Sequence, residues 1–145
     1  IKTISITKEE KQTVIEKTVP YQIHDTAKIL IVDDSGIARK ALSKILIDAG
    51  YQVILAKDGF EALGQLQHES PDMMFLDLIM PGIDGYNVLD MIERSPGGKQ
   101  IPIVMLTSRG SLMDKFKGIM SKCDTYLTKP VASDLLLETV RKFLA

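Results

Sequence analysis

The stretch "MMFLDLIMPGIDG" (residues 73–85) decides the fold, because an apolar run within it ends on one carboxylate, Asp77, and a turn follows at once. A continuous apolar run that stops at turn signals is typical of a strand buried on both faces. Pro81–Gly82 is such a signal, and Asp84–Gly85 predicts the N-cap of a following helix. The lone charge of Asp77 therefore needs an explanation from the rest of the chain.

The region from Lys28 onward repeats this alternation of strand and helix. Such a pattern predicts βαβ units, a parallel sheet and helices on both of its faces, and right-handed crossovers leave few topologies. We predict an α/β fold with a doubly wound five-stranded parallel sheet and five helices. The predicted strands are 28–32, 51–56, 72–77, 101–107 and 125–129, and the predicted helices are 35–49, 58–69, 84–94, about 111–121, and a last one that carries Leu135, Leu136, Val140, Phe143 and Leu144.

Helical periodicity also predicts which faces of the helices are buried. The residues of the first helix that fall on one apolar stripe, and that we expect to face the sheet, are Ile37, Ala41, Ile45 and Ala49. The inward residues predicted for the helix at about 111–121 are Leu112, Phe116, Ile119 and Met120.

Residues 1–27 differ from the rest, since they carry too little apolar surface to build a core alone. Thr7 and Glu10 have the spacing of a capping box, which predicts a short helix that Val19–Pro20 would end. We interpret 1–27 as a linker or an arm, and 28–145 as the main domain. A helix that couples this domain to an upstream domain or to a second copy is the alternative, and the sequence leaves it open.

The composition of the 145 residues is that of a globular protein, with 45% hydrophobic and 26% charged residues and a net charge of -1. The balanced charge gives no indication of nucleic-acid binding, and no apolar run is long enough to predict a membrane span. Cys123 is the only cysteine, so an intramolecular disulfide is excluded and a zinc cluster is not expected. We expect a cytoplasmic protein.

Polar side chains follow four of the five predicted strands. In open α/β sheets ligands bind beyond the carboxyl ends of the strands, where the strand order reverses. Carboxylates that converge there repel one another, by about 4 kcal/mol for two charges ~4 Å apart at an effective dielectric constant near 20. The residues at these strand ends are Asp33–Asp34, Asp77, Thr107–Ser108 and Lys129–Pro130.

A cation must offset this repulsion, and the candidates are the Lys129 ammonium and a bound metal. Oxygen ligands without histidine or cysteine favour Mg²⁺ (or Mn²⁺), and this composition is typical of a phosphoryl-handling centre. Asp77 is then predicted to be a carboxylate nucleophile that forms an acyl phosphate. Thr107 and Lys129 would cradle the phosphoryl oxygens, and the residue two positions after Asp77 could turn its carbonyl toward the metal.

Simpler interpretations exist for the same residues. Asp33–Asp34 could form an acidic cap on the following helix, and Asp77 could be a plain turn residue. Thr107 could be an ordinary polar strand end, and Tyr126 a half-buried strand tyrosine. The joint occurrence of these groups at successive strand ends favours the functional interpretation.

Four stretches in order resemble the receiver domain of bacterial two-component response regulators, as in the single-domain chemotaxis regulator. The resemblance covers residues 28–145 and implies a flavodoxin-like, CheY-like sheet with strand order 2-1-3-4-5. A weaker similarity links "KCDTYLTKPV" (122–131) to receivers of pilus and gliding motility pathways and of their cyanobacterial phototaxis relatives. The four stretches are "ILIVDDS" (29–35), "DMMFLDLIMPGIDGYNVL" (72–89), "IPIVMLTS" (101–108) and "YLTKP" (126–130).

The resemblance implies a role for each matching acidic residue. Asp77 is similar to the phospho-acceptor, and Asp34 to the direct Mg²⁺ ligand. Asp33 is similar to the acidic partner that acts mainly through water, and the backbone carbonyl of Ile79 would be the third protein ligand.

It also implies a switch. Thr107 is similar to the hydroxyl that moves to the phosphoryl oxygen, and Lys129 to the lysine that bonds this oxygen, with Lys129–Pro130 in the cis form. Tyr126 resembles the aromatic residue that rotates inward when Thr107 moves. The face that would change is formed by the predicted helix at about 111–121, the fifth strand and the last helix.

The implied function is signalling by phosphoryl uptake, from a histidine kinase or a phosphotransfer protein, with a downstream protein as target. The chain would then be no enzyme beyond its Mg²⁺-dependent self-phosphorylation and self-dephosphorylation. Ile79 and Arg109 stand at two variable positions of the family, and because Ile79 cannot orient a water molecule we predict slow self-dephosphorylation. The sequence does not choose between a monomer and a phosphorylation-linked dimer.

Two other functions compete with this one. A receiver-fold interaction module without phosphorylation would usually lose part of the acid cluster, which is complete here. A haloacid-dehalogenase-type phosphatase also has an aspartate nucleophile, but it needs a second aspartate two residues later, where this chain has Ile79.

Overall fold

The computed structural model describes residues 27–95, 100–108 and 123–144. Within them, five parallel strands form one sheet in the order β2-β1-β3-β4-β5. The strands are β1 (Lys28–Val32), β2 (Gln52–Ala56), β3 (Met73–Asp77), β4 (Ile103–Thr107) and β5 (Thr125–Thr128), and the helices are α1 (Gly36–Asp48), α2 (Gly59–Glu69), α3 (Gly85–Arg94) and α4 (Ser133–Leu144).

The three central strands are β1, β3 and β4, and nearly all of their residues are buried. Their side chains alternate between two apolar clusters, one on each face of the sheet. Helices α2 and α3 cover one face, whereas α1 and α4 cover the other. Burial on both faces is why these strands appear in the sequence as continuous apolar runs.

The strand order reverses between β1 and β3, because β1 pairs with β2 on one side and with β3 on the other. The register aligns Val32 with Leu76, so the carboxyl ends of β1 and β3 lie side by side. Residues that follow Val32 therefore lie next to the end of β3, at the position where doubly wound sheets bind ligands.

The predicted sheet and its strand order are confirmed. The structure describes four helices rather than the five predicted, and the helix expected at about 111–121 lies outside the described residues, as does the arm at 1–26. Four strands are shorter than predicted, since β2 begins at Gln52, β3 at Met73 and β4 at Ile103, and β5 ends at Thr128. Over the described ranges, no helix has both the length and the apolar character needed to cross a membrane.

The predicted inward face of α1 is wrong in part: Ile45 packs against the buried cluster as expected, but the most buried residues are not on the predicted stripe. Leu42 and Leu46 are its buried residues, whereas Ile37 is 85% exposed. The expected stripe contains two alanines with little apolar area, and it lies one position away from the two leucines. Since larger apolar side chains gain more free energy from burial, the helix turns Leu42 and Leu46 into the cluster around Phe75.

Candidate functional site

Three carboxylates meet beyond the ends of β1 and β3. Ligand oxygens of Asp33, Asp34 and Asp77 lie within 4.8 Å of one another. Asp33 and Asp77 are buried, and Asp34 is exposed. The prediction that these residues converge is therefore confirmed, because parallel strands bring their carboxyl ends to one edge of the sheet.

Asp33 has a hydrogen-bond partner for each of its polar groups. Its backbone N–H donates to the carbonyl oxygen of Ala56 at 3.2 Å, and its Oδ1 accepts from the N–H of Ser35 at 2.9 Å. Its Oδ2 accepts from Lys129 Nζ at 2.8 Å. Arg39 Nη1 donates to its backbone carbonyl at 2.7 Å, so this fully buried residue is fixed on every side.

Lys129 links the two buried carboxylates. Its Nζ lies 2.8 Å from Asp33 Oδ2 and 3.4 Å from Asp77 Oδ2, and its backbone N–H donates to the carbonyl oxygen of Thr107 at 2.7 Å. Burial by itself lowers the pKa of Lys129, but the hydrogen bond to Asp33 and the charge of Asp77 outweigh it, so that the pKa is raised. The Lys129–Pro130 peptide is cis, as the resemblance implies.

The environment of Asp77 strongly raises its pKa. Burial first, and the negative charge of Asp33 second, raise its pKa from 3.8 to about 7, while Lys129 and the Ile79 N–H oppose this rise. The Ile79 N–H donates to Asp77 Oδ1 at 3.3 Å. The ammonium of Lys129 alone does not offset the two buried charges, so an added cation would favour the ionised form of Asp77.

The other predicted residues lie after β3, at the end of β4 and on β5. Thr107 is buried at the end of β4, and Ile79 is 46% exposed in the loop after β3. Tyr126 is also 46% exposed. It pairs with Met105 in the β4–β5 ladder, two positions before Thr107, and since alternate residues of a strand share a face, Tyr126 and Thr107 lie on the same face of the sheet.

The simpler interpretation of Asp33–Asp34 as a helix cap is excluded by the position of Ser35. Ser35 is the N-cap of α1, and its side chain accepts from the N–H of Ala38 at 3.2 Å. By contrast, Asp84 is the N-cap of α3 and accepts from the Asn87 N–H at 2.9 Å, as predicted.

Sequence reasoning missed two contributors to the site. Arg39 lies off the apolar stripe predicted for the first helix, and its guanidinium turns back to the carbonyl of Asp33. In the sequence, Gly85 is interpreted only as part of a helix N-terminus, yet a Cβ at this position would meet the carbonyl oxygen of Asp77. No periodicity indicates either contact, since both depend on how closely separate elements approach.

The donor set fits a hard divalent cation. Three carboxylates supply oxygen ligands within 4.8 Å of one another, and the Lys129 ammonium pairs with two of them, Asp33 and Asp77. Mg²⁺ and Mn²⁺ prefer such oxygen ligands and retain bound water molecules or phosphate oxygens. The exposed position of Asp34 leaves room for those additional ligands.

A model of the response regulator receiver domain matches residues 29–141 of this chain. The chain belongs to the response regulator receiver family. Its members act in two-component signalling, and phosphorylation on an aspartate is their general property. The family to which the chain belongs is therefore one of signalling domains rather than of classical enzymes.

Two curated relatives show the same family membership. Protein PilG of Pseudomonas aeruginosa is 37% identical over 120 residues, which cover 83% of this chain and 89% of PilG. Response regulator MprA of Mycobacterium tuberculosis is 38% identical over 119 residues, 82% of this chain. This receiver spans about half the length of MprA, with 51% of that protein covered.

Solved structures resemble the fold closely. The chemotaxis response regulator CheY4 of Vibrio cholerae has a TM-score of 0.73 and 36% identity, with 81% of this chain and 98% of that chain covered. A response regulator from Chloroflexus aurantiacus has a TM-score of 0.75 and 36% identity, with 82% of this chain and 98% of that chain covered. The flavodoxin-like topology predicted from the sequence is thus that of the family.

Proposed function

We propose that Asp77 of this receiver domain accepts a phosphoryl group from a histidine kinase, a phosphotransfer protein or a small acyl phosphate. The observation that supports this most directly is the buried pair of Asp33 and Asp77 bridged by Lys129. A rigid carboxylate at the end of a buried strand, with a pKa near 7 and an ammonium within 3.4 Å, is suited to act as a nucleophile once a further cation favours its ionised form.

A divalent cation would complete the site. Bound Mg²⁺ (or Mn²⁺) supplies positive charge that offsets the carboxylates and the oxygens of an incoming phosphoryl group. The residues that would hold it are Asp33, Asp34, Asp77 and, through its backbone carbonyl, Ile79.

The transfer step is an in-line displacement at phosphorus. A carboxylate oxygen of Asp77 forms a bond to phosphorus while the bond from phosphorus to the donor's imidazole nitrogen or acyl oxygen breaks, and the donor leaves with that electron pair. The ammonium of Lys129 and the hydroxyl of Thr107 donate to the phosphoryl oxygens and hold the product. Thr107 ends β4, the strand next to β3, and Lys129 Nζ already lies 3.4 Å from Asp77 Oδ2.

Phosphorylation adds about -1.5 to -2 charges at the sheet edge and shifts a two-state equilibrium of the domain. In our proposal Thr107 moves toward the phosphoryl group and Tyr126 turns inward beside it. Their shared face of the sheet, and the exposed position of Tyr126, support this coupling. The output is a change of protein contacts on the face that includes β5 and α4, with a downstream protein as partner, and we place this exchange in the cytoplasm.

Intact mass spectrometry of the full chain tests the proposal. The protein is incubated with acetyl phosphate, with Mg²⁺ or with EDTA, as wild type and as Asp77→Asn. We expect the mass of one phosphoryl group on the wild type in the presence of Mg²⁺ only, and none on Asp77→Asn. An Asp90→Asn variant, changed at a carboxylate of α3 that is paired with Arg94, is the matched control and should be labelled like the wild type.

Each other outcome indicates a different function. If no condition gives labelling, the receiver is an interaction module that works without phosphorylation. Continuous hydrolysis of a free phosphate ester without accumulation of label would instead indicate a phosphatase.

A further inference from the structure

Arg39 makes a contact that the proposed chemistry does not use. It lies one turn into α1, where its N–H donates to the carbonyl oxygen of Ser35 at 3.0 Å. Arg39 is half-buried, and its guanidinium turns back and donates to the backbone carbonyl of Asp33 at 2.7 Å. The side chain thereby ties the first turn of α1 to the residue that follows β1.

This contact closes a small ring of bonds around Asp34. On one side, Asp33 is fixed by Ala56, Lys129 and Arg39. On the other side, Ser35 is fixed as the N-cap of α1 and by its N–H to Asp33 Oδ1. The exposed carboxylate of Asp34 makes no hydrogen bond to another described residue, so its direction depends on these two neighbours.

The charge and the hydrogen bond of Arg39 have opposite effects on a bound cation. A positive guanidinium near three carboxylates repels a divalent cation and weakens its binding. A hydrogen bond that orients the chain carrying the ligands strengthens binding, and loss of such an outer partner typically costs about 10- to 100-fold in metal affinity. The sign of the change on removing Arg39 therefore distinguishes the two effects.

We propose that Arg39 is a positioning residue for the metal site, which holds the carbonyl of Asp33 so that Asp34 is aimed at the cation. This inference rests on the proposed Mg²⁺ site. Arg39 touches neither the metal ligand atoms nor the phosphoryl group, and it acts through the backbone of residues 33–35.

The test is the affinity of the full chain for Mn²⁺, measured from the electron paramagnetic resonance signal of free Mn²⁺, and for Mg²⁺ by competition. Arg39→Met keeps the apolar stem and the helix propensity but removes the donor. We expect it to bind Mn²⁺ about tenfold more weakly than the wild type. Arg39→Lys, which keeps the charge and one donor, should recover most of the affinity.

Lys40 provides the matched control. It is exposed on the same turn of α1, and Lys40→Met removes the same charge without removing a bond to Asp33. We expect its Mn²⁺ affinity to equal or slightly exceed that of the wild type. A second readout is the Mg²⁺ concentration that gives half-maximal labelling by acetyl phosphate, which should rise for Arg39→Met while the rate at saturating Mg²⁺ stays the same.

Unchanged or tighter Mn²⁺ binding by Arg39→Met would overturn the proposal and leave Arg39 as a structural contact. If Arg39→Met does not fold, Arg39→Gln, which shortens the side chain and removes its charge, is measured instead and is expected to lose affinity in the same way. Failure of the wild type to bind Mn²⁺ would instead overturn the metal site itself, and Asp34→Asn serves as the reference for that loss.

Discussion

Asp77 combines a buried position with two opposing electrostatic influences. Asp33 repels its charge and Lys129 attracts it, and burial decides the balance in favour of the protonated form. Lys129 bonds both carboxylates, so it cannot offset either of them fully. The ionised form of Asp77 is thus less favourable in the folded protein than in the unfolded chain, unless a further cation is bound.

This predicts a pH dependence of stability. The folded protein retains the Asp77 proton up to about pH 7, whereas the unfolded chain releases it near 3.8. Between these values the folded state binds more protons than the unfolded state, so the Asp77 contribution to the free energy of unfolding falls as pH rises. Between pH 5 and pH 8 in EDTA the wild type should therefore lose stability relative to Asp77→Asn. The difference in the free energy of unfolding between the two proteins should grow by on the order of a few kcal/mol over this range.

Urea unfolding at pH 5 and pH 8 measures this difference. Asp34→Asn is the control, because it removes an exposed carboxylate of the same cluster and should follow the wild-type profile. An equal stability gain of Asp77→Asn at both pH values would show that its charge plays no part.

Ile79 governs the lifetime of the acyl phosphate in our interpretation. Its half-exposed side chain lies beside Asp77 and offers no group that could orient water. Ile79→Asn should lose the label faster, on the order of tenfold, which is less than the 10²–10⁴ of a positioned general base because an amide only orients the water. Loss of label is followed by mass after removal of acetyl phosphate.

Ile79→Val is the matched control, since it changes size and adds no polar group. Loss of label within seconds from the wild type would refute the prediction of slow dephosphorylation.

At the scale of elements, the first turn of α3 lies very close to the end of β3. The Gly85 N–H donates to the carbonyl oxygen of Leu78 at 2.9 Å, and Asp84 caps the helix above it. A Cβ on Gly85 would meet the Asp77 carbonyl oxygen and would lie 2.9 Å from Leu78 Cα. Both neighbours are backbone atoms at the end of β3 and just after it, so they have little freedom to move.

Gly85→Ala is therefore expected to lower the free energy of unfolding by about 1–3 kcal/mol. Gly64→Ala is the matched control within α2, where an added Cβ would have no atom within 4 Å. It should raise the free energy of unfolding by about 0.5–1 kcal/mol, since alanine loses less entropy in a helix. Urea unfolding of both variants measures the two effects, and equal effects of the same sign would show that the close approach has no energetic weight.

At the scale of the whole molecule, one sheet joins the strand ends that carry the acid cluster to the edge strand β5. Thr107 ends β4. Lys129 follows β5, and the Lys129 N–H donates to the carbonyl oxygen of Thr107. β5 is the edge strand of the described sheet, and α4 covers the cluster that contains Leu127. A shift at Thr107 can thus reach β5 through the ladder.

We expect Thr107→Val to accept the phosphoryl group but to respond less. Loss of the hydroxyl removes the donor that would follow the phosphoryl oxygen. In hydrogen exchange, phosphorylation should change protection of β5 and α4 in the wild type and should change it much less in Thr107→Val. Thr128→Val is the control, because Thr128 is the exposed partner of Thr107 in the β4–β5 ladder, and an equal response of all three proteins would contradict the switch.

The sequence by itself determined the order of elements, the parallel sheet and the strand ends that carry Asp33, Asp77 and Lys129. These features follow from local periodicity and from a general property of parallel sheets, namely that the carboxyl ends of the strands share one edge. The same reasoning placed Asp84 correctly as a helix cap, since capping depends on residues a few positions apart.

Only the tertiary structure decided how the elements meet. Which face of α1 is buried depends on whether Leu42 or Ile37 fits against the sheet, and this fit depends on the shape of the opposite surface. The bond from Arg39 to Asp33 and the close approach of Gly85 to Asp77 join groups from separate elements. The pKa of Asp77 likewise depends on its burial beside Asp33, a property that arises when two strands are packed side by side and that no single stretch of sequence contains.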